Sequence, residues 1–312
     1  MFQLLGAFFR LVRWPNLVFI FLTQLLFYYL ILLPGFNDAH PAYHKLVPLL
    51  FYLLSASSVL IAAAGYIIND YFDLNIDRVN KPNRLVVDRL IRRRSTILWH
   101  WLLSGVGALL SIYVSWVLRN PVVALANVGC VFLLWVYSTT FKRRLLIGNI
   151  IISLLTAWVI LVLYVAEVRV RADAIYHAYT IRLFKFAIIY AGFAFIISLV
   201  REVVKDLEDM EGDMKYGCRT MPIVWGVNVA KVFAGTWLFV LVGALVILEF
   251  YVLQKAKWPL IAYGAVLIDL PLLWILRKLY EAQTKIDYRF LSNSIKWVML
   301  AGILSMILLK LV

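Results

Sequence analysis

Apolar stretches of about 20 residues alternate along the chain with short polar connectors, and a run of that length is what crosses a bilayer as a helix. Nine such runs stand out, at 17–33, 47–68, 97–117, 122–139, 146–166, 184–200, 229–253, 260–275 and 295–311. Little more than Asn120 and Pro121 divides the third from the fourth. The eighth is short and carries Asp269 and Pro271, which predicts a kinked or partly buried span. The first 13 residues are apolar with two arginines and lack a small-residue cleavage site, so they read as an amphipathic lead-in to a retained span. The pattern predicts an all-α fold, a multi-pass transmembrane helical bundle forming one domain over residues 1–312.

Composition agrees. Charged residues are 15% of the chain, where a soluble domain carries about 25%. The net charge of +14 would suit nucleic acid, but the basic residues sit in the connectors between apolar runs, as membrane topology requires. With the N-terminus in the cytoplasm, 20 of the 31 Lys and Arg fall on the cytoplasmic side, among them Arg10, Arg13, the set between Arg78 and Arg94, and Lys142 to Arg144. The opposite side holds Lys45, Arg119, Arg169, Arg171 and four others, and Lys310 ends the last span. This asymmetry predicts an integral protein of a prokaryotic plasma membrane, N-terminus inside and C-terminus outside. Cys130 and Cys218 form no pairing pattern. His40 and His44 are separated by Pro41, and no motif for a transition metal is present.

Acidic residues are concentrated. Nine of the 17 lie in two windows, Asp70 to Asp77 after the second run and Glu202 to Asp213 after the sixth. Asn69, Asp73 and Asp77 are spaced by four, one helical face if the second span continues past Asn69. Asp206, Asp209 and Asp213, in the loop after span six, are spaced three and four. The two windows share the pattern D-x2-D-x3-D, which points to a repeated half-bundle unit. Stacked carboxylates repel each other, and a divalent cation removes that cost. Oxygen donors at this density suit Mg2+, with substrate phosphates completing its shell. Arg78, Lys81 and Arg84 follow the first window, and Lys205, Lys215 and Arg219 flank the second. Carboxylates, Mg2+ and basic side chains together make a clamp for a polyphosphate.

These segments resemble the UbiA family of intramembrane prenyltransferases. Residues 69–77, NDYFDLNID, are similar to its first motif, NDxxDxxxD, and Lys81-Pro82-Asn83-Arg84 to the tail that follows. Residues 205–213, KDLEDMEGD, are similar to the second motif, KDxxDxxGD. Tyr137 to Arg143 with Gly148 and Asn149 resembles a YSxxLKR…GN loop, departing from it at Phe141, and Arg13-Trp14-Pro15-Asn16 resembles the entry to the first span. The resemblance covers most of the chain. It implies an enzyme that uses Mg2+ to transfer an isoprenyl group from its diphosphate to an acceptor. It assigns Asn69, Asp73, Asp77, Asp206, Asp209 and Asp213 to metal and catalysis, and Arg84, Lys142, Arg143, Lys205 and Tyr137 to the diphosphate, with Tyr137 also shielding a cation or orienting the acceptor.

Within the family, the two motifs look most like the branch that geranylgeranylates geranylgeranylglyceryl phosphate in lipid biosynthesis. Aromatic acceptors (homogentisate, 4-hydroxybenzoate, dihydroxynaphthoate) and chlorophyllide-like acceptors are the alternative. A glycerol phosphate needs a second anionic pocket; Arg92, Arg93, Arg94 and Arg144 either supply it or only fix topology. The expected partners are therefore an isoprenyl diphosphate, a small or lipid-like acceptor and membrane lipid, with no nucleic acid and no obligate protein partner. A transporter fits less well, because its ion sites lie near the midplane rather than at one edge. A CDP-alcohol phosphotransferase would need a single D-x2-D-G…G-x3-D-x3-D block, which the chain lacks.

Overall fold

The computed structural model of the chain describes residues 2–35, 44–168 and 174–311. His40, Arg169 and Arg171 lie outside the described residues, as do the side chains of Arg84, His177 and Lys310. Among the described residues nine helices are long and apolar enough to cross a membrane: Trp14–Gly35, Pro48–Phe72, Arg93–Leu118, Pro121–Thr139, Ile147–Glu167, Ala178–Lys215, Val227–Leu253, Trp258–Glu281 and Lys285–Leu309. Each matches one predicted run, to within two residues where a run overshoots the helix. In hydrocarbon every backbone amide must bond internally, so long apolar runs resolve as helices. Pro15, Pro48, Pro121 and Pro259 sit in first turns, where the missing N–H costs nothing.

Two elements correct the sequence reading. The sixth run, expected to end at residue 200, belongs to an unbroken helix, Ala174–Lys215, which carries all the acids of the second window. That window is helix, not loop. The eighth span, expected to be short, is a full-length helix, Trp258–Glu281, with a π-helical turn at Ala265–Asp269 just before Pro271. Asp269 is buried there, within electrostatic reach of Glu249 of the seventh span.

The second span packs on the third, and the sixth on the fifth, seventh and ninth. Polar side chains tie the packing together. Gln24 Nε2 donates to Ser58 Oγ at 3.1 Å and to the Val159 carbonyl at 3.0 Å, while Gln24 Oε1 accepts from Ser55 at 2.8 Å, joining spans one, two and five. Glu167, fully buried, accepts the backbone N–H groups of Lys45 and Leu46 at 2.8 Å each and caps the approach to the second span. Between the spans lies a cavity of about 260 Å3. Its walls are mainly apolar, with polar side chains such as Asn69, Tyr137 and Lys205 at one end.

Candidate active site

The second span ends at Phe72, and a short helix, Leu74–Asn80, continues it after a bend at Asp73. The bend does not break the turn pattern: the Asp73 N–H still reaches the Asn69 carbonyl at 2.9 Å, and the Asp77 N–H reaches the Asp73 carbonyl at 2.8 Å. Asn69, Asp73 and Asp77 therefore keep helical spacing, as their four-residue interval predicts. Asp70 leaves that row. Its carboxylate takes the Arg13 guanidinium at 2.6 Å.

The long sixth helix supplies the facing wall. Asn80 fixes the two together: its Nδ2 donates to the Asp209 carbonyl at 2.9 Å, and its Oδ1 accepts the Gly212 N–H at 2.9 Å. Lys81 Nζ lies 2.5 Å from Asp209 Oδ2. Asn149, from the start of the fifth span, donates to Asp206 Oδ2 at 2.9 Å. The other acids of the window point elsewhere. Glu202 faces the cavity, Glu208 pairs with Arg289 at 2.8 Å, and Glu211 is exposed.

Lys142 stands between the walls. Its ammonium binds the Asp73 carboxylate and lies within electrostatic reach of Asp77, Asp206, Asp213 and Tyr137. Burial works against the charge on Lys142, but Asp73 and its neighbours outweigh it and raise the pKa well above the usual lysine value. Burial pushes the Asp77 carboxyl up to about 6, with Lys142 opposing the shift and Asp73 adding to it. The loop that carries Lys142 closes tightly because residue 148 is glycine: a Cβ there would lie 3.0 Å from the Phe141 carbonyl and 3.2 Å from the Tyr137 ring.

Of the residues the sequence assigned to the diphosphate, Lys142 and Tyr137 stand at the walls. Lys205 faces the cavity and pairs with Glu202 at 2.6 Å. Arg143 is exposed, and its carbonyl accepts the Arg219 N–H at 2.8 Å. The Arg84 side chain lies outside the described residues. Sequence reasoning missed Asn80, which sits between the first motif and its basic tail with no charge to draw attention.

The donor set fits a hard divalent cation. Asn69 Oδ1 and Asp209 Oδ1, from opposite walls, are buried acceptors without a hydrogen-bond partner. Asp73 and Asp213 are buried carboxylates, 4% and 6% exposed, and buried anions demand cationic partners. No three His, Cys, Asp or Glu side chains among the described residues converge as a ready-made metal cage. The walls instead offer separate oxygens on two helices, which suits a cation whose shell is completed by phosphate oxygens.

A helical membrane bundle with a mainly apolar cavity, lined by Asn69 of one wall and by Lys205 next to Asp206 of the other, defines a class of intramembrane site for an anionic headgroup on an apolar tail. The chain matches the UbiA prenyltransferase family over residues 29–300 and belongs to it. It is 33% identical over 177 residues to the digeranylgeranylglyceryl phosphate synthase of Pyrococcus horikoshii, covering 57% of each chain. It is 33% identical over 205 residues to that of Methanothermobacter thermautotrophicus, covering 65% of this chain and 66% of the relative. The matched region thus spans less than two thirds of these relatives' length. Among solved structures, a digeranylgeranylglyceryl phosphate synthase shares the fold at a TM-score of 0.61 and 24% identity, over 98% of this chain and 99% of that one. A UbiA homologue from Archaeoglobus fulgidus bound to DMAPP and Mg2+ shares it at a TM-score of 0.57 and 16% identity, over 95% of this chain and 98% of that one.

Proposed function

We propose that the chain is a Mg2+-dependent prenyltransferase that moves a geranylgeranyl group from its diphosphate to a hydroxyl of geranylgeranylglyceryl phosphate. The observation that carries this reading is the pair of acid walls, joined by Asn80 and Lys81, beside an apolar cavity that Asn69 of the first wall lines. The named relatives support the choice of acceptor. In the reaction the allylic C–O bond of the donor breaks, diphosphate leaves, the acceptor oxygen bonds to the allylic carbon, and the hydroxyl proton departs with the diphosphate.

Asn69, Asp73 and Asp77 on one wall and Asp206, Asp209 and Asp213 on the other would hold the cation. Bound there, Mg2+ would neutralise the diphosphate and make it a better leaving group. Lys142 is placed to add a charge-assisted hydrogen bond to a phosphate oxygen, and Lys81 to do so from the other side. Tyr137 presents its ring beside Lys142, where an aromatic face favours a developing allylic cation. Span side chains such as Phe19, Ile20 and Phe193 line the cavity and exclude the water that would destroy that cation.

We place this chemistry in one domain spanning residues 1–312, with the site at the cytoplasmic edge of a prokaryotic plasma membrane, N-terminus inside and C-terminus outside. The excess of Lys and Arg on the connectors of that side supports the orientation. The deciding experiment gives purified protein geranylgeranyl diphosphate and Mg2+ with geranylgeranylglyceryl phosphate, homogentisate, 4-hydroxybenzoate and dihydroxynaphthoate in parallel. Ether product with the glyceryl phosphate is expected; product with an aromatic acceptor alone would overturn the assignment.

A further inference from the structure

The cavity holds a second concentration of positive charge that the acid walls do not use. Arg13, Arg201, Lys205 and Lys296 all line it, contributed by the N-terminal approach, the sixth span and the ninth. The four are close enough to act on one another: Lys205 and Lys296 each lie within electrostatic reach of both Arg201 and Arg13. Among the described residues two carboxylates form ion pairs with them. Glu202 is shared between Lys205 at 2.6 Å and Arg201 at 3.5 Å, and Asp70 takes Arg13 at 2.6 Å. Lys296 hydrogen-bonds a neutral partner, Asn16 Oδ1, at 2.9 Å. Arg201 Nε is buried with no partner.

A buried guanidinium nitrogen without a partner and an ammonium held only by a neutral amide are costly to leave on a cavity wall. A guanidinium also presents five donors, and Arg201 satisfies few of them within the protein. The complement is an anion with several acceptor oxygens, and a phosphate monoester has that form. Metal is ruled out as the occupant by the sign of the charge. The bases that the sequence offered for a second anionic pocket do not compete: Arg92, Arg93, Arg94 and Arg144 are exposed, and none of them lines the cavity.

We propose that Arg13, Arg201, Lys205 and Lys296 form a second anion subsite, distinct from the acid walls, that takes the phosphate monoester of the acceptor. The proposal rests on the prenyl-transfer reading above and adds to it where the acceptor's headgroup sits. Asn69 and Tyr137 line the same cavity, so an acceptor anchored at this cluster shares one cavity with the donor's reacting end. Lys205 precedes Asp206 in the sixth helix and marks the border between the two anion sites.

The test is a binding measurement by titration calorimetry, on the full chain in detergent, without Mg2+ or prenyl diphosphate. The probes are geranylgeranylglyceryl phosphate, its dephosphorylated alcohol, and inorganic phosphate. The phosphorylated lipid should bind at least about tenfold more tightly than the alcohol, the loss of one or more charge-assisted hydrogen bonds. Lys296→Met should remove most of that preference, and Lys296→Arg should keep it. Inorganic phosphate should compete with the phosphorylated lipid and not with the alcohol. Equal binding of lipid and alcohol by the wild-type chain would overturn the subsite, and that comparison needs no variant to fold. So would a Lys296→Met chain that loses affinity for geranylgeranyl diphosphate as strongly as for the acceptor. A chain that prefers the phosphorylated lipid yet forms no ether product from it with geranylgeranyl diphosphate and Mg2+ would sustain the subsite while refuting prenyl transfer.

Discussion

Asn80 and Gly212 bond the first acid wall to the second: the Gly212 N–H reaches Asn80 Oδ1 at 2.9 Å, and a Cβ at position 212 would lie 2.6 Å from the Asn80 amide. Only glycine lets the sixth helix come this close. The contact sets the spacing of carboxylates that belong to helices 132 positions apart in the chain. Gly212→Ala should push the walls apart without touching any charged group. The expected result is a 10- to 100-fold (about two decades at most) loss of apparent Mg2+ affinity, the usual cost of removing a group that orients ligands. Mg2+ titration of diphosphate release measures it, and an unchanged half-saturation would show that the register is held elsewhere.

The carboxylates themselves carry a sharper expectation. Asp73 is buried against Lys142, and Asp209 offers one unpartnered buried oxygen. Asp73→Ala or Asp209→Ala should each abolish Mg2+-dependent release of diphosphate, by about 100-fold or more, while the protein still inserts in the membrane. Full activity in either variant would remove the acid walls from the mechanism.

Lys142 is held among acids by the same electrostatics that would let it follow an incoming phosphate. Lys142→Ala should raise the KM for the prenyl diphosphate by about 10- to 100-fold, the worth of one charged hydrogen bond. Steady-state kinetics at saturating Mg2+ reads this directly, and a KM equal to wild type would take Lys142 out of the phosphate site.

The spans were legible because hydrocarbon imposes one rule on long apolar runs, and each of the nine coincides with a helix to within two residues where it overshoots. The acid pattern was legible because like charges at helical spacing are unusual without a cation. What the sequence hid was direction. Nothing in the spacing of Glu202 to Asp213 tells that Glu208 turns to Arg289 while Asp209 turns to Lys81, since both lie on one continuous helix whose partners are fixed by packing. The cluster of Arg13, Arg201, Lys205 and Lys296 was equally invisible, because its members come from distant segments that meet only across the cavity. The exposed arginines at 92–94 look stronger on paper because they are consecutive.

Acid should weaken the metal site in a definite order. Burial pushes the Asp77 carboxyl up to about 6, so it is largely neutral below that pH and charged above it. A cation binding there must displace the proton, and affinity therefore rises with pH through about 6 and levels off beyond it. Between about pH 7.5 and about pH 5.5 the half-saturating Mg2+ concentration should increase about fourfold from this one group. Asp77→Asn cannot titrate, so its weaker Mg2+ response should lose that component of the pH dependence. Calorimetric Mg2+ titrations at the two pH values, with wild type and variant side by side, test the point. Equal pH dependence in both chains would assign the proton to another carboxylate of the walls.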